Sequence, residues 1–145
     1  YVFGEHGDSS FVPWSLANIG SIPVDNFAPS FTGEKLPDFN KDDVEDYIRK
    51  SGGIIIGAKK CTNYGIGVTT ASLVEALNYH TDSVLTITSM MHGEYGIDDV
   101  CLSIPTIVGC NGIKGHVAAP LTDSEVVSLR HSADCLKDVI KQIQF

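Results

Sequence analysis

The sequence predicts a single α+β domain over residues 1–145, antiparallel strands packed with long helices. Apolar residues recur at helical spacing in long stretches near residues 40–60, 65–79 and 122–143. Two runs rich in β-branched residues, 83–91 and 99–108, flank a glycine-bearing connection of hairpin type. Strands and helices do not alternate strictly, so a doubly wound nucleotide-binding (Rossmann) fold is not expected within these residues.

Taken in order, residues 1–7 read as a strand that enters a glycine turn. Residues 14–24 read as a second strand, kinked near Gly20. Residues 25–39 carry proline and phenylalanine without a period and read as a surface loop. Asn40 is a good N-cap. Asp42, Asp43 and Glu45 follow where the helix dipole favours negative charge, and Lys59 and Lys60 stand at the other end. Val44, Tyr47, Ile48, Ile55 and Ala58 set the helical period. Gly52, Gly53 and Gly57 lower helix propensity and point to close packing of this helix at a buried interface.

Gly65 to about Tyr79 is apolar nearly all round, the pattern of a buried helix. A turn over 78–82 leads to a strand from Ser83 to Met91, then the connection 92–98, then its partner from Asp99 to Val108. Asn111-Gly112 signals a turn, and Gly115 to Leu121 a third, short strand. Thr122 and Glu125 have capping-box spacing, and Val126, Leu129, Ala133, Leu136, Ile140 and Ile143 repeat at three and four residues in the last helix.

Ten basic residues, scattered along a chain of net charge −8, do not make a nucleic-acid surface. Apolar runs such as Ile54-Ile55-Ile56 fall far short of a membrane span. Cys61, Cys101, Cys110 and Cys135 lack the spacing of a zinc site or a redox dithiol. Reduced, partly buried thiols in a cytoplasmic protein are expected. The chain opens without Met and already in a strand pattern, so a domain separated from an N-terminal partner is expected.

The chemistry-bearing motif is Gly4-Glu5-His6-Gly7-Asp8-Ser9-Ser10. Imidazole exchanges protons near neutral pH, and glycines let the backbone bend and a ligand approach. Other motifs read as structure. Gly65-Ile66-Gly67 lacks a third glycine and a preceding strand, so close helix packing explains it better than a dinucleotide turn. His80, His92, His116 and His131 show no metal-ligand pairing and read as surface or hydrogen-bonded histidines. No serine sits on a Gly-x-Ser-x-Gly elbow, and Arg49 and Arg130 lie on helices far from the motif in sequence.

The motif strongly resembles the catalytic-histidine segment of the L-lactate/malate dehydrogenase family. Cys61-Thr62-Asn63-Tyr64-Gly65-Ile66-Gly67 resembles its substrate-pocket segment. Gly93 to Val100 and Ser103-Ile104-Pro105 resemble its hairpin, and the terminal helix running to Gln144-Phe145 also fits. The resemblance covers essentially the whole chain and points to the C-terminal, substrate-side domain, closest to L-lactate dehydrogenases.

It implies His6 as the proton donor and acceptor in pyruvate–lactate exchange, Thr62 in the substrate pocket, and Ile66 against the nicotinamide of NAD. It also implies arginines for the substrate, an aspartate for the histidine and the glycine-rich cofactor turn on an N-terminal nucleotide-binding domain, and a homo-oligomer, tetramer or dimer. By itself this chain is then expected to be inactive. Malate or branched 2-hydroxyacid dehydrogenases are the nearest alternatives, and a non-enzymatic oligomerisation module is the alternative of another kind.

Overall fold

A computed structural model describes residues 1–27, 31, 39–79 and 81–143. A short hairpin, β1 (Asn18–Ile19) and β2 (Ile22–Pro23), precedes the first long helix, α1 (Lys41–Lys59), and α2 (Tyr64–Asn78). Next come β3 (Ser83–His92), β4 (Asp98–Gly109) and β5 (Gly112–His116), and α3 (Asp123–Ile140) closes the described chain. β3, β4 and β5 form an antiparallel sheet in that order. The α+β class is therefore the one read from the sequence.

β4 is the centre of the sheet. Its side chains alternate, so Val100, Leu102, Ile104, Thr106 and Val108 are buried. Phe3, Phe11, Met91, Ile97, Leu129 and Ala133 join this strand in one core. Leu129 and Ala133 lie four residues apart on α3, and the helical period therefore presents them together to β4. Burying a side chain such as Leu102 or Leu129 is worth about 1.5–3 kcal/mol each.

The start of α3 is tied to a remote segment. Thr122 and Glu125 form the expected capping box, with the Thr122 amide donating to Glu125 Oε2 at 2.9 Å. The same carboxylate accepts from the Ser15 amide at 2.9 Å and from the Ser15 hydroxyl at 2.5 Å. Burial works to raise the Glu125 pKa, but the hydrogen bonds from Ser15 and Thr122 outweigh it and hold the carboxyl below its ordinary range. Glu125→Ala is expected to cost about 1–2 kcal/mol, through loss of the cap and of both Ser15 contacts. Urea unfolding measures this, and a variant as stable as the parent would show that these bonds contribute nothing.

Several expected elements differ. Residues 1–7 do not form a strand: only the bridges Phe3–Phe11 and Gly4–Ser103 exist, because Gly4 at φ +96° turns the chain out of any ladder. The strand expected over 14–24 is a 3-10 turn, Trp14–Leu16, followed by the small β1–β2 hairpin that reverses at Gly20-Ser21. The third strand begins three residues early, at Gly112, since the Asn111-Gly112 turn leads directly into the ladder, and it ends at His116. The loop expected over 25–39 falls largely outside the described residues, as do His80 and Gln144-Phe145. Ile143 lies beyond the end of α3 and is exposed.

The largest correction concerns α1 and α2. α1 begins as expected, with Asn40 Oδ1 accepting the Asp42 amide at 2.9 Å, but no residue of α1 is buried. On α2 only Ala76 is buried, while Val68, Val74 and, just past its end, Tyr79 are exposed. Beyond its own turn of helix, no described atom lies within 4 Å of where a Cβ would stand on Gly52, Gly53, Gly57, Gly65 or Gly67. Apart from Ala76 and the half-buried Leu73 and Leu77, the apolar side of these helices is left largely uncovered within this chain. The thiols also differ from expectation: all four are free, but Cys61, Cys101 and Cys110 are exposed and only Cys135 is half-buried. No described helix is long and apolar enough to cross a membrane.

Candidate active site

Phe3 and Phe11 make the base of the loop that carries His6. Their backbones exchange hydrogen bonds at 2.9 and 3.1 Å, and their rings meet edge to face at 6.2 Å in the core. Gly4 bonds both ways to Ser103 of β4, at 3.1 and 2.8 Å. The loop is thus anchored in the sheet immediately before the histidine.

α3 supplies the next support. The Glu5 amide donates to Ser132 Oγ at 2.8 Å, and Ser132 is fully buried. The Glu5 carboxylate accepts from the Ser9 amide at 3.1 Å and from the Ser9 hydroxyl, which also reaches Ser132 Oγ at 3.1 Å. These bonds close the loop across His6.

α1 supplies the last support. Arg49 Nη1 donates to the Ser10 carbonyl at 2.8 Å and to Glu45 at 3.2 Å. Glu45 in turn accepts from the Trp14 indole at 2.7 Å. Although far from the motif in sequence, Arg49 reaches the His6 loop through the fold of α1 against it. No sequence signal marks Arg49 or Ser132 for these roles: each sits within an ordinary helical pattern, and only tertiary packing brings it to the loop.

His6 stands exposed on this braced loop. It lines a cavity of about 440 Å³ together with Asp8, Ile48, Arg49, Thr88 and Ser103. Thr62 lies in the link between α1 and α2, and Ile66 in the first turn of α2. Both are exposed, and neither lines the His6 cavity. The structure therefore gathers His6 with Arg49 but leaves Thr62 and Ile66 apart from them on open surface.

A second polar cluster lies on the sheet. The Glu94 carboxylate accepts from the His92 amide at 2.5 Å and lies 2.6 Å from His116 Nδ1. Burial would raise the Glu94 pKa, but the hydrogen bonds from His116 and the backbone outweigh it and lower it to about 2. A depressed carboxyl pKa contributes stability above its unfolded value and loses it as pH falls through the folded one. Stability from Glu94 should therefore be complete above pH 4.5 and disappear toward about pH 2. Urea midpoints measured across that window should fall more steeply for the parent than for Glu94→Gln; parallel curves would contradict the assignment. Among the described residues no group of His, Cys, Asp and Glu is placed to hold a metal ion.

Comparison with known proteins extends this picture. A profile described as the lactate/malate dehydrogenase α/β C-terminal domain matches residues 1–144. An L-lactate dehydrogenase of Acetivibrio thermocellus is 37% identical over 143 residues, covering 99% of this chain and 45% of the relative. L-lactate dehydrogenase 2 of Clostridium acetobutylicum is 43% identical over 141 residues, covering 97% of this chain and 43% of that protein.

Among solved structures, the minor L-lactate dehydrogenase of Enterococcus mundtii superimposes with a TM-score of 0.86 at 30% identity, over 100% of this chain and 46% of that one. Malate dehydrogenase of Archaeoglobus fulgidus, in complex with NADH, gives 0.81 at 28% identity, over 99% and 43%. The chain spans somewhat under half the length of these relatives.

Proposed function

We propose, from the premise that this chain belongs to the lactate/malate dehydrogenase C-terminal-domain family, that it forms the substrate side of an NAD-dependent L-lactate dehydrogenase. The observation that carries the reading is His6, solvent-accessible on a loop braced by β4, α3 and α1 and lining a cavity beside Arg49. A proton donor must be reachable and held in place, and this loop provides both.

In pyruvate reduction His6 gives its proton to the ketone oxygen, and in lactate oxidation it takes the hydroxyl proton back. As imidazolium it also places positive charge beside the oxygen, where negative charge develops. NAD, when bound, exchanges the hydride with the carbonyl carbon. The described residues do not make a full dinucleotide site: Gly65-Ile66-Gly67 follows α1 and a short link rather than a strand. Ile66 offers one apolar contact for the nicotinamide, and Thr62 one hydroxyl for the substrate pocket. Their exposure fits residues that are completed by a facing nucleotide-binding domain, which also supplies the carboxylate-binding arginine and the aspartate that orients His6. The exposed apolar faces of α1 and α2 fit burial against that domain and against further subunits in a homo-oligomer.

The test has two arms. The 145-residue chain alone, mixed with pyruvate and NADH, is expected to show no turnover. Joined to its nucleotide-binding domain, it should reduce pyruvate with a higher kcat/KM than oxaloacetate or 2-ketoisocaproate. Turnover by the chain alone would refute the division of labour. Preference for oxaloacetate or 2-ketoisocaproate would move the reading to a malate or branched 2-hydroxyacid enzyme. No turnover in either arm would favour an oligomerisation module.

A further inference from the structure

Ser89 on β3 and His116 on β5 come from the two strands that flank β4. Ser89 Oγ lies 2.8 Å from His116 Nε2, and His116 Nδ1 lies 2.6 Å from Glu94 Oε1. Ser89 is 6% exposed and the His116 side chain 8%, so both are shielded from competing water. All of them line a cleft of about 370 Å³, with Met90, His92 and Lys114. The register breaks at Met90/His92 in one ladder and at Ile107/Val108 in the other, and bulged strands of this kind re-aim side chains.

The proton directions are determined by the neighbours. An ionised Glu94 only accepts, so Nδ1 of His116 carries the hydrogen that faces it, and in the neutral ring, the form that can act as a base, Nε2 holds the lone pair. The Thr106 hydroxyl, 3.5 Å from Ser89 Oγ, donates to the Ile104 carbonyl at 3.0 Å. Facing a neutral His116 with its hydrogen on Nδ1, the Ser89 hydroxyl donates to Nε2. A hydroxyl, a base and a carboxylate that orients the base, opening on a cleft, are the parts of an activated nucleophile.

We infer that Ser89, His116 and Glu94 form a nucleophilic site, separate from the His6 cavity, that accepts an acyl group from a small activated ester. Ser89 Oγ bonds to the ester carbonyl carbon while its proton passes to His116 Nε2. The bond from that carbon to the leaving oxygen then breaks, and His116 returns the proton to the departing alcohol. The products are acyl-Ser89 and free alcohol. The sequence carries no sign of this site, since Ser89 stands on a strand rather than on a glycine elbow. The inference does not depend on the role of His6.

The test incubates the purified protein with p-nitrophenyl acetate. It follows p-nitrophenol release and maps the adduct by mass spectrometry. Acetylation at Ser89 is expected, absent in Ser89→Ala and slowed about 100-fold or more in His116→Gln. Glu94→Gln, which keeps the serine and the histidine, should slow it less than His116→Gln does, and it serves as the reading if His116→Gln fails to fold by circular dichroism. A structural hydrogen-bond network would leave Ser89 inert. No adduct at Ser89, or Ser89 acetylation at parental rate in the folded histidine or glutamate variant, would overturn the inference.

Discussion

His6→Ala, made in the complete enzyme, is expected to lower kcat for pyruvate reduction by about 100- to 10,000-fold, the usual contribution of a positioned general acid. NADH affinity should change little, because the dinucleotide is expected on the facing domain, while the His6 loop is held within this chain by Ser103, Ser132 and Arg49. Within this chain His6 is exposed, so the fold of this domain should hold without its side chain. A loss confined to kcat, with an unchanged urea midpoint, separates a proton donor from a folding residue. Normal turnover would remove His6 from the mechanism. A large fall in the midpoint would make the histidine structural.

The second large effect belongs to Gly4. Its φ of +96° is open to glycine and strained for other residues. A Cβ there would also stand 2.6 Å from Ser132 Oγ and 3.1 Å from Ser132 Cβ. Ser132 cannot simply yield, because it is fully buried and its hydroxyl accepts the Glu5 amide. Gly4→Ala should therefore cost about 2–5 kcal/mol, the sum of a left-handed penalty and an overpacking penalty.

Turnover in the complete enzyme should fall with it, since displacement of Ser132 releases the loop next to His6. Ser132→Gly removes the clash but also the acceptor of the Glu5 amide and adds a glycine inside α3, so Gly4→Ala should cost less in the Ser132→Gly background than in the parent, by the steric part. Denaturation of the parent, both single variants and the double variant measures it. A Gly4→Ala chain within 0.5 kcal/mol of the parent, a tolerance about that of an ordinary surface change, would show that the loop relaxes freely.

Much of the fold was legible because it depends on local periods. The runs 83–91 and 99–108 read as paired strands and are β3 and β4, and the spacing of Leu129 and Ala133 belongs to the face of α3 that packs on β4. The capping box at Thr122–Glu125 formed as its spacing required. Ser15 was not legible as its further partner, because that contact joins residues 110 apart in sequence. The first residues failed as a strand for a related reason. Their composition suits extended backbone, but a ladder needs a partner, and only Phe11 and Ser103 supply one.

The buried helix expected over 65–79 shows how composition can mislead. Apolar residues all round state that a surface needs covering without stating what covers it. In this chain only Ala76 is buried, and Ile66 remains open. The same holds for the glycines of α1, which have room around them.

The sequence by itself determined the α+β class, the helix starts, the pairing of the two long strands, and His6 in its glycine-flanked motif. These follow from side-chain periods, capping chemistry and residue type, all of which act over a few positions. The tertiary structure alone decided that Arg49 clamps the His6 loop, that Ser132 supports it, and that Ser89, His116 and Glu94 align. Each of those arrangements joins side chains from different elements, and hydrogen-bond directions and distances between elements exist only after the helices have docked on the sheet.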